Sequence, residues 1–198
     1  HATTYEHLRA VKDVFPVRYS AEYLKEFVRL KDSVLRNNPY ESLRSVLERT
    51  EKFLTENSIT IDRYGNYLTH TDFVPHNFRI TEHSLYMLDC VPNYATVHFG
   101  NKYEGWARFL NYMLIHSPEL ERLLTTYVRE TRGEDEYLSL RLMRAYKIAF
   151  LLDYYARSLA KTTGDLHALT LARIAYWRGA LEAILEDPLS IEIRSDWR

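Results

Sequence analysis

Tyr67-Leu68-Thr69-His70-Thr71-Asp72-Phe73-Val74-Pro75-His76-Asn77-Phe78-Arg79-Ile80-Thr81-Glu82-His83-Ser84-Leu85-Tyr86-Met87-Leu88-Asp89 is the stretch on which the fold turns. Elsewhere the apolar residues recur with the helical period. Here short runs rich in β-branched and aromatic residues take over. Tyr67–His70 reads as a strand. Asn77–Ile80 and Leu85–Leu88 read as two more, joined through the polar segment Thr81-Glu82-His83-Ser84 as a hairpin. Just upstream, Ile59-Thr60-Ile61-Asp62 has the same strand-like composition.

This arrangement places chemistry at one end of the hairpin. Asp72 lies just beyond a strand-like run, Asn77 opens the next strand and Asp89 closes the one after it. In a hairpin the residues at the two outer ends can lie side by side, and the loop 72–76 returns Asp72 over the same end. Three oxygen-bearing side chains then converge. That set suits a hard cation such as Mg²⁺, held by few protein ligands together with substrate phosphates. It leaves one carboxylate to accept a proton from an attacking hydroxyl.

Around this stretch the chain reads as helices. Residues 1–16 read as one, ending near Pro16. Ser20 can cap a segment whose Tyr23, Leu24, Phe27, Val28, Leu30 and Val34 fall mostly on one face, and Asn37-Asn38-Pro39 breaks it. A second follows with Leu43, Val46, Leu47, Phe53 and Leu54 inward. Helices resume after Gly100, from about Tyr103 to Ile115. Ser117-Pro118, a cap followed by proline at the first helical position, opens another to about Glu130. Gly133 stops it. Leu138, Leu142, Ala145, Tyr146, Ala149, Leu152 and Ala156 form a helical stripe over 135–160. After Thr163-Gly164-Asp165 a last helix carries Leu166, Leu169, Ile174, Trp177, Leu181 and Ile184. The fold class is therefore mainly α with a small central β-hairpin. No repeat or linker divides the chain. The charged tail from Glu192 to Arg198 reads as frayed.

Composition narrows the function classes. The chain has 198 residues, 46% hydrophobic and 27% charged, and these are values of a soluble globular domain. A formal net charge of −1 favours neither nucleic acid nor an anionic membrane as partner. No run approaches the length a membrane span needs. The lone cysteine, Cys90, allows no internal disulfide, so a reducing, cytoplasmic setting is the default, and the thiol reads as a small packed residue. No signal peptide is visible, and the absence of an initiator Met suggests a start within a longer product or after processing.

His70-Thr71-Asp72, Asn77 and Leu88-Asp89 together also resemble a family pattern. His-x-Asp-x₄-Asn, followed by an apolar strand and Asp, is similar to the catalytic signature of the aminoglycoside phosphotransferase and choline kinase-like family, itself similar to the protein-kinase catalytic loop. The resemblance implies that Asp72 is the catalytic base orienting the acceptor hydroxyl. It implies that Asn77 and Asp89 are metal ligands for Mg²⁺ and that His70 supports the loop. Weaker matches follow. Gly100-Asn101-Lys102-Tyr103-Glu104-Gly105-Trp106-Ala107 sits where the family has Gly-Asp-Pro and Asp-Leu-Ala, with Glu104 near the usual Asp. His1-Ala2 resembles the start of the helical lobe. The implied activity is transfer of a phosphoryl group from ATP or GTP to a hydroxyl of a small molecule, such as an aminoglycoside, an amino-alcohol or a sugar. Residues 1–198 then correspond to the C-terminal catalytic and substrate-binding lobe. No Gly-rich phosphate loop or lysine-bearing strand is present, and the resemblance puts those upstream of His1. Cys90-Val91-Pro92 stands where the family usually has an aromatic and then an acidic residue.

Other readings stay open beside this one. A kinase-like module that binds without turnover fits the missing nucleotide lobe. His70, Asp72 and His76 could supply zinc-type ligands of a metal hydrolase. Asp153 on the apolar stripe reads either as an i,i+4 pair with Arg157 or as an acidic wall for a cationic acceptor. Glu104 is a second candidate for acceptor binding. Gly133-Glu134-Asp135-Glu136 reads most simply as a helix start with favourable dipole charges.

Overall fold

The computed structural model describes residues 15–37, 41–88 and 97–187. Of the helix expected over residues 1–16, only Phe15 and Pro16 are described and neither is helical; the rest of it, Asn38-Pro39, Asp89, Cys90-Val91-Pro92 and the charged tail lie outside the described residues. In chain order the elements are α1 (Ser20–Asn37), α2 (Glu41–Glu56), α3 (Ser58–Arg63), β1 (Tyr67–His70), a 3₁₀ turn (Pro75–Asn77), β2 (Phe78–Ile80), β3 (Leu85–Met87), β4 (Val97–Gly100), α4 (Glu104–His116), α5 (Pro118–Arg132), α6 (Glu134–Leu159) and α7 (Gly164–Glu186). The fold is mainly α with a small β-hairpin, as expected. No helix among the described residues is long and apolar enough to cross a membrane.

The chain packs as two compact units, one of residues 1–20 and 59–144, the other of 21–58 and 145–198. Their boundaries fall inside α1, α3 and α6 rather than at a linker.

The first unit holds all the described strands, in two antiparallel pairs. β2 and β3 form the expected hairpin, with Phe78 opposite Met87 and Ile80 opposite Leu85. The turn is closed by the Thr81 N–H donating to the Ser84 carbonyl at 2.8 Å and the Ser84 N–H donating to the Thr81 hydroxyl at 3.1 Å. β1 pairs instead with β4, Tyr67 opposite Gly100 and His70 opposite Val97. β4 is a strand the sequence reading did not anticipate. Every one of its residues is buried, so it shows no in-out alternation. Its other edge is taken by residues 16–18, through the Phe99 N–H to the Pro16 carbonyl at 2.8 Å and the Arg18 N–H to the Phe99 carbonyl at 2.7 Å.

Ile59-Thr60-Ile61-Asp62 is helical in α3, which corrects the strand-like reading. In a strand Ile59 and Ile61 would share a face. Here Ile61 is buried and Ile59 is 74% exposed, the in-and-out placement a helical turn gives them. Asp62 then receives the Ser20 N–H at 2.6 Å and the Ser20 hydroxyl at 2.8 Å, so the start of α1 is tied down by Asp62 rather than by Ser20 capping its own helix. Ser117 occupies the N-cap position of α5, but its side chain makes no cap bond. Gly133 ends that helix at φ 87°.

The second unit is helical. Tyr23, Phe27, Leu30 and Val34 of α1 are buried, as are Leu43, Val46, Leu47 and Leu54 of α2, on the faces the periodicity indicates. The Tyr23 and Tyr146 rings meet edge-on at 5.1 Å, and the Tyr146 hydroxyl donates to Glu26 at 2.8 Å. In α7, Ile174, Trp177, Leu181 and Ile184 are buried, but Leu166 and Leu169 are exposed. The apolar face therefore begins later than the sequence suggests. α6 is buried nearly all round from Ser139 to Ala149, so it is more than a one-stripe helix.

Candidate functional site

The segment between β1 and β2 is held from three sides, all within the first unit. Val74 is fully buried and receives the Asn77 N–H at 3.0 Å, which makes the 3₁₀ turn. Phe73 packs edge-on against Phe78 at 4.9 Å and against Phe109 of α4 at 5.7 Å, and Phe78 reaches Phe109 at 6.1 Å. Such a ring trio contributes apolar burial plus geometric preference. Under the segment lies Gly105 at the start of α4. A Cβ there would stand 2.9 Å from the His70 carbonyl oxygen and 3.3 Å from the Phe73 Cβ. Only glycine permits that approach.

Asp72 and Asn77 come together on this platform. The Asn77 amide nitrogen donates to the Asp72 carbonyl at 3.0 Å and to its carboxylate Oδ2 at 3.2 Å. That leaves the Asn77 Oδ1 as the acceptor end of a buried amide. The other carboxylate oxygen, Oδ1, pairs with the Arg108 guanidinium at 2.8 Å. Asp72 is 25% exposed and Arg108 37%, so the pair sits at the surface end of the site. The sequence reading missed Arg108. It is three residues after Gly105, on the α4 face that meets the loop, a contact that only the docking of α4 reveals. On the hairpin side, the Leu88 N–H donates to the Asn77 carbonyl at 2.6 Å. Asp89, the next residue, lies outside the described residues. The oxygen donors at Asp72 and Asn77 have the chemistry a Mg²⁺ ion takes.

The remaining candidates fall as follows. His70 ends β1, and both its ring nitrogens are buried with no partner among the described residues. Its backbone meets Gly105, whereas its ring holds nothing there. His76 is exposed, and no three His, Cys, Asp or Glu side chains gather as a metal site among the described residues. His70, Asp72 and His76 therefore form no zinc-type cluster. Glu104 is fully buried at the start of α4, where its Oε2 meets His98 Nε2 at 2.7 Å and its Oε1 lies 3.9 Å from Arg18. It bridges α4 to β4 beside the loop. Asp153, in the second unit, makes the i,i+4 pair with Arg157 at 2.8 and 3.0 Å, while its other oxygen is buried without a partner among the described residues.

A cavity of about 200 Å³ adjoins the loop, lined by β1 together with Phe73, Met87, Lys102, Gly105 and Trp106. Lys102 is enclosed there by the rings of Tyr64, Tyr67 and Tyr103 at 5.2, 5.7 and 5.0 Å, and it is ion-paired with Glu136. The Tyr103 hydroxyl also donates to Glu136. Burial, and then the bond to Glu136 and its charge, push the Tyr103 phenol well above its ordinary value. Burial and then the charges of Asp135 and Glu136 raise Tyr64. Burial works to raise Glu136, yet the hydrogen bonds from Lys102 and Tyr103 and the Lys102 charge outweigh it and hold the carboxyl below its ordinary value.

No protein-family model, curated protein or solved structure matches this chain.

Proposed function

We propose that this chain carries the catalytic part of a phosphotransferase that moves the γ-phosphoryl group of ATP or GTP to a hydroxyl of a small molecule. One observation carries the reading. A carboxylate and a buried amide, five residues apart on the loop that leads into a hairpin, meet at 3.2 Å. In the proposed reaction the acceptor hydroxyl oxygen forms a bond to the γ-phosphorus. The bond from that phosphorus to the β,γ-bridging oxygen breaks, with its electrons passing to the nucleoside diphosphate. The hydroxyl proton goes to Asp72 and then to solvent. Asn77 and Asp89 would hold Mg²⁺, which when bound neutralises phosphate charge. The site's own residues orient the base and keep the loop in place, so positioning supplies most of the rate.

Glu104 supports the loop in this reading rather than facing an acceptor, because His98 and Arg18 surround it in a buried setting. Asp153 belongs to the second unit, where it pairs with Arg157, and this reading assigns it no role. A second reading, a module that binds nucleotide without turnover, is motivated by Cys90-Val91-Pro92, which stands after Asp89 where the similar family usually has an aromatic and then an acidic residue.

ADP release from Mg·ATP, measured with a panel of aminoglycosides, choline, ethanolamine and sugars, separates the two. Acceptor-stimulated release supports the enzyme. Saturable Mg·ATP binding with no release supports the module, and the absence of both overturns the whole family of readings.

A further inference from the structure

We propose that Arg108 is a positioning residue for this phosphoryl transfer, an inference that rests on the function just proposed. The two oxygens of Asp72 are held by different elements. Oδ2 meets the Asn77 amide nitrogen at 3.2 Å, from the 3₁₀ turn, and Oδ1 meets the Arg108 guanidinium at 2.8 Å, from α4. Two restraints on opposite oxygens fix the rotation of the carboxylate about its last torsion, which one restraint would leave broad. A base must present a lone pair to the acceptor hydroxyl within hydrogen-bond reach, so this rotation matters to the rate.

The helix that carries Arg108 is itself registered against the loop. Gly105 lets α4 approach the His70 carbonyl, and Phe109, next to Arg108, packs on Phe73 and Phe78. Arg108 therefore reaches Asp72 from a rigid support. Asp72 is its only ion-pair partner among the described residues. A guanidinium has five donors in a fixed plane. One of these is engaged on Asp72 Oδ1 at 2.8 Å, and the planar group sets the direction from which that oxygen is held.

A merely structural pair behaves differently. A part-exposed ion pair contributes about 0–1 kcal/mol to stability. Its loss alone leaves the turnover of a folded protein unchanged.

The test compares wild type with Arg108→Met, Arg108→Lys and Asp72→Asn in the full-length protein. ADP release from Mg·ATP is followed with the best acceptor of the panel, or with water where none stimulates, alongside the thermal midpoint. The inference expects kcat of Arg108→Met to fall about 10- to 100-fold while the KM for Mg·ATP and acceptor stays within about twofold. It expects Arg108→Lys to recover part of the loss, because an ammonium can still reach one oxygen. If Arg108→Met does not fold, Arg108→Lys alone decides by the same kcat-against-KM split. Wild-type kcat in the Arg108 variants, beside an inactive Asp72→Asn, overturns the positioning role and leaves the phosphotransferase reading standing. An active Asp72→Asn, or no ADP release from wild type, overturns that reading and this inference with it.

Discussion

Gly105→Ala separates two effects that act in opposite directions at one position. Alanine is the better helix former, by about 1 kcal/mol in a helix interior and less at the first turn where Gly105 sits. Against that gain stands a Cβ placed 2.9 Å from the His70 carbonyl oxygen and 3.3 Å from the Phe73 Cβ. The first neighbour is backbone and cannot swing away. Overpacking of this kind costs roughly 1–3 kcal/mol. The net is a loss of about 0–2 kcal/mol, small enough for the variant to fold. Gly179 in α7 is the matched control, since nothing lies within 4 Å of its added Cβ. Gly179→Ala keeps the gain without the clash, so it raises stability by about 0.5–1 kcal/mol. The two substitutions should therefore differ by about 1–3 kcal/mol, or roughly 2–12 °C in midpoint for a chain of this size. Thermal unfolding of both variants against wild type reads this directly. Because the clash bears on the loop that carries Asp72, turnover of Gly105→Ala should also fall, by about tenfold or more, while Gly179→Ala keeps it. If Gly105→Ala is stabilised as much as Gly179→Ala, α4 does not press on the loop and the platform described above is wrong.

His98→Ala strips the fully buried Glu104 of its 2.7 Å partner and should cost about 3 kcal/mol by chemical denaturation. Replacing His98 and Glu104 together with apolar residues should cost less than the single change, and a double variant weaker than His98→Ala would refute the pairing. Glu136, held below its ordinary value of 4.5 by Lys102 and Tyr103, binds a proton less tightly when folded than when unfolded. The stability it lends is therefore full above about pH 4.5 and is lost as pH falls through the folded-state value. Stability curves of wild type and Glu136→Gln should converge on acidification, and a gap that widens below that pH would contradict the Lys102–Glu136–Tyr103 cluster.

The hairpin was legible because its apolar residues are separated by a strongly polar four-residue segment, Thr81 to Ser84, that only a turn accommodates. The amphipathic helices α1 and α2 were legible for a similar reason, since each buries one face and exposes the other. Where a segment is buried throughout, the pattern vanishes. β4 is buried at every position and shows no alternation, whereas α6, though buried over most of its middle, is long enough for its helical stripe to show. The Ile-Thr-Ile of α3 misled through composition, because β-branched residues in so short a run outweigh a period it has no room to display.

The site divided along the same line. Asp72 and Asn77 are local to one loop, and their approach follows from spacing. Arg108 reaches Asp72, and His98 reaches Glu104, only because α4 docks against the loop and β4. Docking of that kind is a tertiary fact that no short window contains. His70 shows the limit from the other side. The resemblance makes its ring the support of the loop, whereas among the described residues it is the His70 carbonyl, over Gly105, that meets α4.

The central claim is that Asp72 is the base of a phosphoryl transfer. The most direct measurement is kcat for Mg·ATP-dependent phosphorylation of the best acceptor by wild type and by Asp72→Asn, with ³¹P NMR identifying the phosphorylated hydroxyl. The account predicts a loss of about 10²- to 10⁴-fold for Asp72→Asn, with the thermal midpoint nearly unchanged. An Asp72→Asn protein that phosphorylates the same hydroxyl at the wild-type rate would contradict it.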